Sequence, residues 1–380
     1  MIYLDNSATT KPYEEVLDAF LKVSRDYFGN PSSLHSIGGK AEKLLEQARS
    51  QVAGLLKVKS SEIIFTSGGT EANNLAIKGA ALANQHRGNH IITTQIEHPS
   101  VYESVKDLEQ RGFEATYLQV DQNGVVDIEE LKRAIRPETI LVSIIHVNNE
   151  AGTIQPIEEI GQILKAYPKI LFHADHVQGA GKVPLDFKKA SLDMVSLSGH
   201  KFHALKGTGA LYVREGVSLD PLFSGGGQES RRRHGTENVA GIVSFAKALR
   251  MTSERWAANQ QLIDKTAAVI RSGLASIPEV TIHSPARHSA PHIINFSVAD
   301  MKAEVFVHAL EAKGVYVSTT SACSSKKSVL SRTLLAMGVP EKLAESAMRI
   351  SLSEKNTPEE AEEAVKIIAD TAKHLGKVMN

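Results

Sequence analysis

LDMVSLSGHK, residues 192–201, decides how this chain is read. Leu192, Met194, Val195 and Leu197 crowd into a run too short for a helix, and Gly199 ends it. A strand apolar on both faces belongs inside a sheet covered on both sides. The run delivers Ser198, His200 and Lys201 at its carboxyl end. Lys201 is then either a solvated loop charge or a primary amine held at the mouth of a sheet for chemistry.

Six more runs of strand length flank it: SEIIFTSG, NHIITTQ, FEATYLQV, TILVSIIHV, KILFHAD and TGALYVR. The stretches between them, such as TEANNLAIKGAALANQH and IEEIGQILKAY, space their apolar residues at three and four. That alternation predicts an α/β fold with a mostly parallel seven-stranded sheet. Ligands in such sheets bind beyond the carboxyl ends of the strands. From about residue 237 a long helical stretch leads to further short strand candidates, HIINFSV and VYVST, and to two helices. The expected division is a large domain over 15–255 and a smaller α+β domain formed by 1–14 and 256–380.

Composition sets limits. The chain has 380 residues, with 43 basic and 43 acidic side chains, so no net field draws it to nucleic acid or anionic lipid. The start, MIYLDNSATT, lacks a secretory signal, and no apolar stretch approaches the roughly eighteen residues of a membrane span. A cytoplasmic protein without membrane or direct nucleic-acid contacts is expected. The single cysteine, Cys323, excludes an intrachain disulfide. A lone cysteine is commonly a small buried hydrophobe. Here it stands in STTSACSSKKS, whose hydroxyls and lysines have the composition of an exposed loop and favour the thiolate.

The strand ends carry polar groups. Gly68, Gly69 and Thr70 in TSGGTEANN open a helix, a turn suited to phosphate but equally to ordinary capping. His98 follows the second run, Asn148, Asn149 and Glu150 the fourth, and Asp175 and Gln178 the fifth. A phosphate nest, an imidazole, a strand-end carboxylate and a strand-end lysine together suggest pyridoxal phosphate. The lysine binds its aldehyde, the carboxylate keeps the pyridine nitrogen protonated, and helix amides hold its phosphate.

The ordered set YLDNSATT, GNPSSLH, TSGGTEANNLAIKG, EHPS, HVNNEAG, HADHVQGAGK, SLSGHK, SGGGQE, RHGT, SAC and MRISL resembles the cysteine desulfurases of the NifS and IscS type. These belong to the class V, fold type I, pyridoxal-phosphate enzymes. The resemblance implies that Lys201 bears the cofactor, Asp175 pairs with its pyridine nitrogen, and Gln178 bonds its phenolic oxygen. His98 would stack on the ring and move protons. Gly69, Thr70, Ser198 and His200 would hold the phosphate, with Thr236 supplied by the second subunit of a homodimer. Asn149 would touch cofactor and substrate, Arg349 would clamp the carboxylate of L-cysteine, and Asn30 would lie near the entrance. Cys323 would take the sulfur as a persulfide and pass it to an acceptor protein, either an iron–sulfur scaffold or a tRNA-thiolation enzyme. The short end, LGKVMN, favours the latter. Three positions depart from the family pattern: Ala204 and Leu205 stand where relatives carry a glycine-proline pair, and His176 replaces a small residue.

Other readings compete. An aminotransferase or β-lyase would leave Cys323 incidental, and selenocysteine is an alternative substrate. A metal hydrolase is suggested by HADH and HKFH, but His173, Asp175 and His176 are too close along an extended run to share a face, so no metal is expected. Arg231–Arg233 lack the interleaved aromatics of a nucleic-acid footprint.

Overall fold

The computed structural model describes residues 1–319 and 330–379. All seven runs form strands of one sheet: β1 (Ile63–Thr66), β2 (His90–Thr94), β3 (Glu114–Leu118), β4 (Thr139–Ile145), β5 (Leu171–Asp175), β6 (Met194–Ser198) and β7 (Gly209–Val213). Their order is β1-β7-β6-β5-β4-β2-β3. β7 is antiparallel to both neighbours and every other pairing within the sheet is parallel. β1, β2, β4, β5 and β6 therefore all release their carboxyl ends at the same edge. Six strands are buried along their whole length, whereas β3, on the outside, is buried only at Leu118. Helices cover both faces, which is why the runs lack polar alternation.

The long helical stretch is two helices, Val239–Ala258 and Gln260–Ala275, interrupted at Asn259, which leaves helical geometry at ψ 13°. A second sheet follows: β8 (Val280–Ile282), β9 (Ile293–Val298), β10 (Ser318–Thr319) and β11 (Ala347–Ser351), in the order β10-β11-β9-β8 and antiparallel throughout. VYVST is divided, because Val315–Tyr316 pairs instead with Ile2–Tyr3. Ile2 and Leu4 accordingly pack into the core made by Ile294, Phe296, Phe306 and Ile350. The next residues, Asp5 to Lys11, cross from this core to the edge of the large sheet. Among the described residues no helix is long and apolar enough to cross a membrane.

Candidate active site

A cavity of about 580 Å³ opens where the five strand ends meet. It is lined by Gly69, Thr70, His98, Asn149, Asp175, Gln178, Ser198, His200, Lys201 and Arg349, all singled out in the sequence. β6 ends in a single 3-10 turn, Gly199–Lys201, that turns the lysine back over the sheet edge. Gly199 leaves room for this turn, since a side chain there would collide with the Thr208 hydroxyl. The Lys201 ammonium reaches the carbonyl oxygens of Ser7 and, at 2.9 Å, Ala8. The N-terminal segment thus forms one wall of the site.

Asp175 is the last residue of β5. Its Oδ1 accepts the Val177 amide at 3.0 Å and its Oδ2 accepts the Asn73 side chain at 2.8 Å. The second N–H of Asn73 goes to the Ser100 hydroxyl oxygen at 2.9 Å. Ser100 in turn meets His98 Nδ1 through its hydroxyl at 2.7 Å and through its amide at 3.1 Å. Because the amide can only donate, Nδ1 accepts and the proton of the neutral ring sits on Nε2. His98 also caps the helix Pro99–Gln110, whose first position is the proline. Burial pushes His98 below its ordinary value; Asp175 opposes this and Lys201 adds to it. His200, 3.3 Å from the Thr9 hydroxyl, is pushed down to about 4, first by burial and then by Lys201. Both rings are neutral at neutral pH.

Next to His98, Glu97 is wholly buried. Its Oε1 accepts the Thr94 hydroxyl at 2.7 Å and the Ile145 amide at 2.9 Å, fastening the end of β2 to β4. Burial, only partly offset by these bonds, pushes its carboxyl up to about 8.

At the far side Arg349, on β11, donates to the Asn149 carbonyl at 2.8 Å and to Asp5 Oδ1 at 3.1 Å. Its Nε is buried and has no partner among the described residues. The arginine joins the second sheet, the N-terminal segment and the loop after β4 at one point.

Gly68, with φ 156° and ψ −178°, adopts a backbone open to glycine alone. A Cβ on Gly69 would sit 2.9 Å from Val177 Cγ2 and 3.2 Å from Ser198 Cβ, so this cradle stays open only with glycine.

Two residues, Asn30 and Thr236, do not line this cavity in the single chain. Asn30 is exposed, accepts the Ser32 amide at 2.9 Å and does not line the cavity. Thr236 lines a smaller cavity of about 220 Å³ that shares Ser67 and Gly207 with the main one. Cys323 lies outside the described residues. Arg233 pairs with Glu71 at 2.8 Å. Of the departures, His176 faces away from the main cavity, bonded to His146 at 2.7 Å and packed edge-on against Phe187. The loop at Ala204 is held by His203, which takes φ 63°, stacks on Tyr13 at 4.3 Å, and bonds Thr10 and Lys11.

Sequence reading missed Ser7, Ala8, Thr9, Asn73 and Ser100 as lining residues. Asn73 carried a usable signal: it falls one helical turn after Gly69 and so faces the same way.

A family model described as aminotransferase class-V matches residues 2–363. The chain belongs to the aminotransferase class-V family. A family member from Methanosarcina thermophila, named cysteine desulfurase IscS, is 44% identical over 98% of this chain and 92% of its own. Among solved structures, a NifS-like protein superposes with a TM-score of 0.92 at 39% identity, covering 98% of this chain and 99% of its own. A structure titled SspA in complex with cysteine superposes with a TM-score of 0.82 at 34% identity, covering 93% and 99%. The class V fold type I architecture accounts for the sheet order and for the meeting of strand ends around one cavity.

Proposed function

We infer that this chain is a cysteine desulfurase, which converts L-cysteine to L-alanine and takes the sulfur on Cys323 for transfer to an acceptor protein. The observation that carries the reading is the Lys201 amine at the cavity floor, in one enclosure with Asp175, His98 and Arg349. The desulfurase names of the relatives support it.

The residues present fit pyridoxal phosphate. Among the described residues Gln178 Oε1 and Ser7 Oγ are buried without partners, leaving polar atoms for a ligand to meet, and the Gly68–Gly69 cradle stays open for an anion. Gly69, Thr70, Ser198 and His200 would hold the phosphate, Asp175 the pyridine nitrogen, Gln178 the phenolic oxygen, and Lys201 the aldehyde carbon. When bound, the cofactor supplies a carbonyl that joins the substrate amine and a ring that accepts electrons from its Cα.

Arg349 holds the cysteine carboxylate with the guanidinium face not committed to Asn149 and Asp5. Asn149 flanks it. The Lys201 amine, set between the Ser7 and Ala8 carbonyls, takes and returns the Cα proton. His98 exchanges a proton with the substrate thiol through Nε2, and Asn73 and Ser100 fix that ring against Asp175. The Cys323 thiolate attacks the substrate sulfur: an S–S bond forms, the C–S bond breaks, and the carbon takes a proton to give alanine.

Thr236 acts from the second subunit of a homodimer, and Asn30 belongs to the approach to the site. The large unit comprises 15–255 and the small one 1–14 with 256–380; the enzyme works in the cytoplasm and serves an iron–sulfur scaffold or a tRNA-thiolation enzyme. The test has two arms. Borohydride reduction of the yellow holoenzyme should leave the pyridoxyl group on the peptide containing Lys201. Cys323→Ser should abolish alanine formation while leaving that label in place. A label on another lysine, or a Cys323→Ser enzyme that still forms alanine, refutes the reading.

A further inference from the structure

The turn after β5 is a wall between two cavities. Asp175, Val177 and Gln178 line the site described above, whereas His176, Gly181 and Lys182 line another of about 410 Å³. The two have no lining residue in common. The second cavity is closed by the end of the helix Ser36–Leu56, by the segment 181–187, and by Leu249 and Trp256 of the helix Val239–Ala258.

Lys182 is only 7% exposed. Among the described residues no acceptor is hydrogen-bonded to its amine; what it meets is the Trp256 ring, with Nζ 5.8 Å from the centroid. His292 packs edge-on against that indole at 5.0 Å. Burial pushes both His292 and His176 well below their ordinary value, so neither adds positive charge. Burial, with Lys201 nearby, also brings Lys182 down to about 8, against the opposing pull of the Glu354 carboxylate, which is held instead by Tyr13 and His203. Oδ1 of Asp186, on the same wall, accepts the amides of Lys188 and Lys189, at 3.0 and 2.9 Å, and the carboxylate makes no hydrogen bond to Lys182. Pro184, Leu185 and Phe187 make the remaining surface largely apolar.

A buried ammonium with no hydrogen-bonded acceptor is unfavourable, and an anion seated beside it offsets that cost. Lys57, exposed at the rim, offsets Asp186, and the one buried cation, Lys182, suits a single negative charge. We propose that this second cavity binds a small amphipathic carboxylate, with its carboxylate on Lys182 Nζ and its apolar body against Trp256 and Phe187. The site is distinct from the catalytic one, and the proposal stands whether or not the desulfurase reading does.

Trp256 is the only tryptophan in the chain, so it reports the site directly. Phenylbutyrate, titrated into the holoenzyme, should shift Trp256 emission saturably and bind in calorimetry, while the uncharged phenylbutyramide should bind about tenfold more weakly. Lys182→Met should lower phenylbutyrate affinity about tenfold or more and abolish the preference over the amide. Ser253→Phe, which fills the cavity from the helix that carries Trp256 and leaves the lysine in place, should remove the binding of both probes. The absence of saturable binding to the wild-type holoenzyme would overturn the proposal. So would equal affinities in wild type and Lys182→Met, or unchanged binding in Ser253→Phe. If Lys182→Met does not fold, the amide comparison and Ser253→Phe decide.

Discussion

Replacing Arg349 by lysine tests the substrate end of the site. The guanidinium already directs Nη1 to the Asn149 carbonyl at 2.8 Å and Nη2 to Asp5 Oδ1 at 3.1 Å, and still has donors for the cysteine carboxylate. Lysine keeps the charge, so the Coulombic part survives. Its three donors share one atom, however, and cannot serve two fixed protein acceptors and a planar carboxylate together. At least one charge-assisted hydrogen bond is lost, at about 1.5–3 kcal/mol, so KM for L-cysteine should rise about 10- to 100-fold with a smaller fall in kcat. The assay is alanine formed across a range of cysteine concentrations. The visible spectrum of the bound cofactor and the melting temperature serve as controls that Asp5 and Asn149 have not moved. A KM within about twofold of wild type, with both controls unchanged, would show that the carboxylate is held elsewhere.

Other perturbations probe the wall and the supports. Asn73→Ala removes the donor to Asp175 Oδ2 and the link to Ser100, and should weaken cofactor binding by about tenfold, read by equilibrium dialysis. An unchanged dissociation constant would show that Asp175 needs no such support. Glu97 bears on pH. Its carboxyl rises from an ordinary 4.5 to about 8 by burial, so the folded state holds a proton that the unfolded state has lost. That stabilisation is complete below about 4.5 and drains away as pH rises through 8. Glu97→Gln mimics the protonated acid and should flatten the decline of melting temperature between pH 5 and 8; parallel curves for variant and wild type would refute this.

The large sheet was legible because its strands are buried on both faces: continuous apolar runs need no partner to be recognised, and the sheet edge follows from where they stop. The cavity was legible to the same extent, since Asp175 ends a strand and His98, Asn149 and Lys201 each come within about one turn of a strand's end. What local pattern did not show is the wall contributed by Ser7 and Ala8. Ile2 and Leu4 belong to the core of the second sheet, and the strand Ile2–Tyr3 pairs with Val315–Tyr316. The polar residues after it are thereby drawn across the edge of the large sheet, a placement set by pairing over more than 300 residues rather than by neighbours. Asp5 reaches Arg349 for the same reason, 344 positions away.

The departures from the family pattern have a physical reading of the same kind. A small residue after the strand-end aspartate would leave space behind the cofactor wall; His176 fills it by bonding His146 and abutting Phe187. Successive residues of an extended segment point to opposite sides, so the change that follows Asp175 is felt in the second cavity and not in the first. Beyond it the chain turns, and Gln178 lines the first cavity while Lys182 lines the second. Substitutions on the His176 side can therefore reshape what the second cavity accepts while the catalytic set stays intact, which is the condition under which a ligand site can diverge within a family whose chemistry is fixed.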